Sequence, residues 1–487
     1  MDFEMEKDTL VRYTGTDSRV VLPPGVWRVR ADAFSGCKSP VSIVILPALK
    51  KITPWTFCRC PEIARYEVHP DHPNYESIDG VVYDKKDAQL VAYPPGSTRT
   101  EYLVPHGVRM IGEDAFRCCR LERIILPNSV ESILQGAFSG CAALREIVLP
   151  DSITCISPDA FAGCTALCEI TIPHGLRTVR QDTFSGCSAL MRVTFPDTLR
   201  EIHWNAFAGC VSLTEVTLPH SIRILHSRTF AGCRSLKRVK LPEELQRICP
   251  LAFSGCIELT GIDLPEHLQS IECAAFLDCS VLTDVHIPAG CECKDAFVGT
   301  KAGTAADPEG EAAAFYREML QCTKIGRVVY AIMCTERFLL AMYPARDFRP
   351  LARKMWALVD GSGYLDEGAY ALIEVVPECL LEPENYSAGD FEHLTESEYM
   401  QFCALMQGLR DEVNILLNQV YDIAMAYCYT REEPELADTL PPLRRVRDVL
   451  MTNRIPMPDL AALASFREQG NNSGRKLFDC KYLSVLL

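Results

Sequence analysis

Leu144-Arg145-Glu146-Ile147-Val148-Leu149-Pro150, then Ile153 and Ile156, then Ala160-Phe161-Ala162-Gly163-Cys164, is one unit of a pattern that the chain repeats. The next copy carries Leu167, Ile170, Ile172, Pro173, Leu176, Val179, Phe184 and Cys187, and the marker phenylalanine recurs at Phe116, Phe138, Phe161, Phe184, Phe207, Phe230, Phe253 and Phe276. Successive markers stand 23 residues apart after a first step of 22. A fixed period of this length marks a solenoid, whose single coil cannot bury its apolar side until a neighbour stacks on it. In Leu213-Thr214-Glu215-Val216-Thr217-Leu218-Pro219 the first, fourth and sixth residues are apolar and point inward from a short strand, leaving Glu215 and Thr217 outside. Pro219 ends the strand because it cannot donate to a ladder.

Two looser coils precede this stretch, one with Val20, Leu22, Pro23, Ala33, Phe34 and Cys37, the other with Val44, Leu46, Pro47, Ile52, Phe57 and Cys60. Residues before Thr16 are expected to cover the open edge of the first coil, since a bare apolar end invites aggregation. The spacing then jumps to 59 residues between Phe57 and Phe116. The insertion, at about residues 70–100, holds Tyr75 to Tyr83 and Gln89 to Pro94 around the polar Asp84-Lys85-Lys86-Asp87, which predicts a β-hairpin.

The Ala-Phe-x-x-Cys-x-x-Leu-x-x-Ile-x-Leu-Pro-x-x-Ile unit, interrupted by His72-Pro73-Asn74-Tyr75 and Ser77-x-Asp79-Gly80-Val81-x-Tyr83, resembles the BspA-like leucine-rich repeat family over about residues 10–297. That resemblance implies a curved β-solenoid of short parallel strands and, in many members, microbial surface adhesion or protein binding. Met1 to Leu10 carries Asp2, Glu4, Glu6 and Asp8, with neither a basic leader nor an apolar core, so it does not read as a signal peptide. No apolar run reaches the roughly 18 to 20 residues of a membrane helix, so no membrane insertion is expected. A cytoplasmic location is the expectation, with export lacking a recognisable leader as the alternative.

After Phe297 the column cysteine is replaced by Thr300, and residues 301–311 read as a linker rich in Ala, Gly, Asp and Glu. From residue 312 to 487 the periodicity is helical. Helices are predicted over about Ala312–Cys322, Ile325–Met342, Phe348–Val359, Leu365–Val376, a stripe from Leu409 to Tyr427 entered through a capping-box pattern at Thr395-Glu396-Ser397-Glu398, Leu443–Met451 and Pro458–Glu468. The fold class is thus a β-solenoid at residues 1–300 followed by an all-α domain, with paired helices of an α-solenoid as one arrangement.

The chain of 487 residues has a formal charge of −15, which disfavours a general nucleic-acid binder. Of its 24 cysteines, Cys37, Cys60, Cys119, Cys141, Cys164, Cys187, Cys210, Cys233, Cys256 and Cys279 share one column and read as reduced packing residues. Asp360 to Glu367 has the flavour of a calcium loop, yet Leu365 and Ala371 stand where it needs a glycine and a bidentate glutamate. Cys58-x-Cys60, Cys118-Cys119 and Cys291-x-Cys293 lack a facing C-x-x-C pair for zinc. His174 and His220 lie two coils apart, too far for one ion. No G-x-S-x-G, Walker A or dinucleotide glycine pattern occurs. No catalytic residue, metal or cofactor is therefore expected.

Function is expected on the outward columns, which packing leaves free. One runs through Arg123, Glu146, Glu169, Arg192, Glu215, Arg238, Gly261 and Asp284, its neighbour through Ile125, Val148, Thr171, Thr194, Thr217, Lys240, Asp263 and His286, and the residues named as the candidate face are Glu146, Glu169, Thr171, Arg192, Thr194, Glu215, Thr217, Arg238 and Lys240. The reading is a non-catalytic protein-interaction scaffold whose partner is a protein. The alternatives are an exported adhesin and an effector or toxin with an activity in its helical domain.

Overall fold

Each coil contributes two short strands. Three residues of the front strand, such as Glu146–Val148, Glu169–Thr171, Arg192–Thr194 and Glu215–Thr217, are followed after the proline turn by two of the back strand, such as Cys155–Ile156, Thr178–Val179 and Glu201–Ile202. Equivalent strands pair in parallel and in register, Glu169 opposite Arg192 and Thr178 opposite Glu201. The middle residue of each front strand is buried while its neighbours are exposed, as period-two side-chain alternation requires. The computed structural model describes residues 2–30, 33–34, 41–52, 62–302, 311–359, 372, 394–425, 436–466 and 484. They fall into two compact units, Met1–Gly310 and Glu311–Leu487.

Between the sheets the repeated residues form rows. The rings from Phe116 to Phe297 are stacked, with neighbouring centroids 5.0 to 5.7 Å apart and planes within 16°. The offset stack follows from the coil spacing and adds to the burial of each ring. Beside it runs the sulfur row. Cys187 Sγ donates to the Phe161 carbonyl of the preceding coil at 3.2 Å, Cys210 repeats this on Phe184 and Cys233 on Phe207, both at 3.3 Å. The same carbonyl accepts the backbone N–H of its own coil's cysteine, Cys164 on Phe161 at 3.2 Å. A thiol thus fills both roles of the site, small apolar filler and weak donor to a carbonyl's second lone pair. A side-chain hydrogen bond with Cys164, and then burial, pushes the thiol of Cys187 up, while burial raises that of Cys210 and takes that of Cys233 to about 12.

The residue before each described column cysteine from Cys119 to Cys279 has a left-handed backbone. Gly186 has φ +72, a left-handed conformation that favours glycine, and a Cβ placed on it would make only ordinary contact with the backbone of Gly163 at 3.7 Å; Cys118 at φ +55 and Asp278 at φ +60 hold the same position in two other coils. The 22-residue step is a shorter corner. Cys119 and Leu121 are buried like their counterparts Cys164 and Leu167, although one residue fewer joins them, and the exposed Arg120 fills the turn.

The ends are closed differently. Phe3–Glu6 and Thr9–Tyr13 form an antiparallel hairpin whose second strand pairs with Arg28–Val29, and Tyr13 packs on Phe34 with ring centroids 5.7 Å apart. In the last coil the back strand shrinks to a single bridge, Ser270 with Glu292. Thr300, in the cysteine position, turns its hydroxyl to the Phe297 carbonyl of its own coil at 2.7 Å.

The insertion is more than the single hairpin expected. Ile63–Val68 continues the front sheet, and three antiparallel strands follow, Tyr75–Ile78, Val81–Asp84 and Gln89–Ala92, the last pairing in parallel with Met110–Ile111 of the back sheet. Val81, Val82 and Tyr83 are all buried, so this middle strand has no polar alternation to announce it. His72, 1% exposed, anchors the turn before it: Nε2 faces the Leu49 carbonyl at 3.0 Å and Nδ1 accepts the N–H groups of Asn74 and Tyr75.

The helical unit contains α1 (Glu311–Gln321), α2 (Lys324–Met342), α3 (Arg349–Ala357), α4 (Glu396–Met406), α5 (Asp411–Met425), α6 (Leu436–Thr452) and a 3-10 turn at Leu460–Phe466. Among the described residues α2, α5 and α6 pack pairwise on one another, the consecutive α5 and α6 most extensively. The Thr395 capping box is present, but it starts α4, and the predicted stripe is a separate helix beginning beyond Gly408, whose φ is +70. The predicted helix 365–376, the calcium-like segment, Cys37 and Cys58-x-Cys60 lie outside the described residues, apart from Leu372.

Candidate protein-binding face

The front sheet places every outward residue singled out above on one exposed surface. Glu146, Glu169, Thr171, Arg192, Thr194, Glu215, Thr217, Arg238 and Lys240 are all solvent-facing. Register sets Glu169 opposite Arg192, Thr171 opposite Thr194, Glu215 opposite Arg238 and Thr217 opposite Lys240. Glu146 lies opposite Arg123, whose guanidinium reaches both Glu101 and Glu146 at 3.5 Å. Among the described residues, Glu169, Arg192, Glu215, Arg238 and Lys240 make no ion pair, so their charges remain with solvent. Exposed pairs of this kind add little stability, and their positions are free to serve recognition.

The same face also carries apolar residues, of which the sequence reading placed Ile125 and Val148 on the outward column but not Leu103. Leu103, Ile125 and Val148 stand in register on three consecutive strands, with Leu103 61% and Val148 67% exposed, and Met191 is 53% exposed further along the face. Ile125 and Val148 open the column that continues as Thr171, Thr194 and Thr217. The signal was there: an outward position that turns aliphatic for three coils before returning to threonine. A contiguous exposed aliphatic strip is the kind of patch that marks a protein contact, and charged residues around it supply a polar rim. Nearer the start of the chain, Arg19 bonds Glu67 at 2.8 Å and holds its carboxyl below the usual range, so that corner of the sheet is neutralised.

The helical unit offers a cleft of about 460 Å³ between α5 and α6, lined by Asn414, Asn418, Gln419, Arg445 and Asp448. Its groups bond one another: Arg445 donates to Gln419 Oε1 at 3.3 Å, and Gln419 donates to Asp422 at 3.3 Å. Burial raises the Asp422 carboxyl against the opposing pull of Arg445. No hydroxyl, thiol or imidazole lines the cleft, so it holds no nucleophile. Among the described residues no group of three or more His, Cys, Asp or Glu side chains is placed to hold a metal ion. Cys118 is exposed, Cys291 and Cys293 are half-buried, and all three are free thiols.

A model of the BspA type leucine rich repeat region, in six copies, matches residues 13–87, 109–233 and 200–304. Among solved structures, the chain is similar to a leucine-rich repeat protein of Eubacterium ventriosum, with 23% identity, a TM-score of 0.39, and coverage of 58% of this chain and 64% of that one. A leucine rich cell surface protein of Faecalibacterium prausnitzii gives 23% identity and a TM-score of 0.37 over 60% of this chain and 92% of its own. A leucine rich repeat protein of T. pallidum gives 27% identity and a TM-score of 0.29 over 53% and 86%. The chain thus spans less than two thirds of the Eubacterium protein. No curated protein matches.

Proposed function

Because the chain belongs to the BspA-type leucine-rich repeat family, we propose that it is a non-catalytic scaffold that binds a protein on the front sheet of its solenoid. The observation that carries this reading is the aliphatic strip of exposed Leu103, half-buried Ile125 and exposed Val148, continued by threonines and bordered by the unpaired charges of Glu169, Arg192, Glu215, Arg238 and Lys240. Apolar anchors at the centre with charges around them are what a specific interface uses, the first for affinity and the second for orientation. The extended surface across successive coils suits a large partner, and its polar groups are hydroxyls, carboxylates and cations among which no nucleophile–base pair is described.

A cytoplasmic setting belongs to the same reading: among the described residues the thiols of the row are free, as a reducing compartment would keep them. Among the described residues no helix is long and apolar enough to cross a membrane.

The test is affinity capture from native-host lysate with the intact chain, the Leu103→Asp/Val148→Asp variant and the Arg238→Glu/Lys240→Glu variant. Loss of the same partner from the first variant, and weakening with the second, supports the front sheet. An unchanged set of partners with both removes it.

A further inference from the structure

The two sheets treat exposed charge in opposite ways. On the front sheet the outward column changes sign at every step but Glu146 to Glu169, through Glu101, Arg123, Glu146, Glu169, Arg192, Glu215 and Arg238. At the start of the back sheet the same rule holds, since Arg109 and Glu131 on adjacent coils form a two-bonded pair at 2.7 and 3.1 Å. Further along that position the alternation fails. Arg177, Arg200 and Arg223 follow one another on three consecutive coils, all exposed, with the Arg200 N–H bonded to the Arg177 carbonyl at 2.8 Å.

Neighbouring rungs lie about 4.8 Å apart, and like charges directly opposite one another destabilise a sheet. Three guanidiniums in a row therefore work against folding. Relief from within is small: Arg223 meets Glu244 at 3.5 Å with both side chains about 60% exposed, and among the described residues Arg177 and Arg200 make no ion pair. The strip is not uniformly basic, because Asp197 and Glu201 lie on the same coil as Arg200 and Glu201 is 3.4 Å from His203.

We propose that the Arg177–Arg200–Arg223 row is a second docking surface, which takes an acidic, extended segment of a partner protein laid along the solenoid axis. The guanidinium fork is suited to receiving carboxylates two oxygens at a time. Three rungs span about 10 Å, and side chains on one face of an extended segment recur about every 6.7 Å, so alternate carboxylates of an acidic segment meet the arginine row. Asp197 and Glu201 favour a polypeptide over a phosphate polymer. Backbone N–H groups and lysines of a protein can bond them, whereas a phosphodiester chain brings only more negative charge to a molecule already at −15.

Fluorescence anisotropy of the full chain with a labelled oligoglutamate, an oligoglutamine of equal length and an oligouridylate separates the cases. The oligoglutamate is expected to bind most tightly, to weaken with salt, and to lose about tenfold or more in affinity with both Arg177→Gln/Arg200→Gln and Arg177→Glu/Arg200→Glu. Arg200→Glu alone is expected to raise the melting temperature by relieving the repulsion, and this reading does not depend on any ligand. Preference for oligouridylate, no oligoglutamate binding, equal binding by the variants, or a lowered melting temperature of Arg200→Glu each overturns the proposal. Variants at Leu103 and Val148 are expected to leave oligoglutamate binding unchanged, which keeps this face separable from the front sheet.

Discussion

In the regular coils the buried thiols form a row: each column thiol from Cys164 to Cys279 donates to a phenylalanine carbonyl one coil back, at 3.1 to 3.3 Å. In the helical unit buried polar groups are singular. Arg327, 1% exposed, donates from Nε to the Met319 carbonyl at 2.9 Å and from Nη2 to the Cys322 carbonyl at 2.8 Å, closing the end of α1. Glu336, fully buried, accepts from Trp356 Nε1 at 2.7 Å and from Ser484 at 2.6 Å. Arg447 lies over the rings of Phe315 and Tyr316, 5.2 and 5.5 Å from their centroids. The difference teaches that stability is distributed along the solenoid and concentrated in the helices. A row shares its strain among coils, whereas Arg327 has no second copy.

Substitutions sharpen that contrast. Phe184→Ala interrupts the ring row and is expected to cost about 4 kcal/mol, the loss of a large core side chain plus its cavity. Urea unfolding checks it, and a loss under about 1 kcal/mol would mean that the rings do not act as a continuous row. Arg327→Met is expected to cost about 3 kcal/mol by leaving two buried carbonyls without donors. Calorimetry should show that loss in the transition of the helical unit alone, and an equal shift of the solenoid transition would break the comparison. Gly186→Ala forces a left-handed conformation on a residue with a Cβ and is expected to cost about 1 to 2 kcal/mol. Thr395→Ala removes one half of the α4 capping box and is expected to cost about 1 kcal/mol.

A titration completes the series. Burial lowers the pKa of His72, whose Nδ1 is already occupied as an acceptor. The folded state then binds fewer protons than the unfolded one, so this contribution is full above the ordinary histidine value of about 6.5 and is lost as pH falls below it toward the depressed value. Melting temperatures measured across that window should fall more steeply for the native chain than for His72→Gln. Burial depresses His226 as well, which leaves the variant a residual slope of the same sign.

Rows are legible in a sequence because each residue is stated many times. Leu213, Val216 and Leu218 were assigned inward from the pattern and are at most 5% exposed. Singular features are not. Arg327 inside a helix reads as a surface cation, because nothing in its neighbours announces carbonyls brought in from the end of α1. The helix read from Leu443 begins at Leu436, because Pro441 and Pro442 suggest a start where the structure keeps a turn before them, anchored by the buried Thr439 and Leu440. The apolar strip of the candidate face lay half in view, as Ile125 and Val148, but its first member, Leu103, follows the insertion, where the period is hardest to count. The arginine row was spelled out in the repeat, and its meaning appeared only once register showed which charges are adjacent.

The tight corner at Arg120 bears on how such a molecule changes over generations. With Cys119 and Leu121 both buried across a shortened link, that bend tolerates a change in length that the interior rows would not. Codons can be gained or dropped there without shifting the phase of any later coil, and whole units can be spliced in or out between two such bends. The array is therefore open to growth by duplication, each added unit bringing its own blank outward positions for selection to write on.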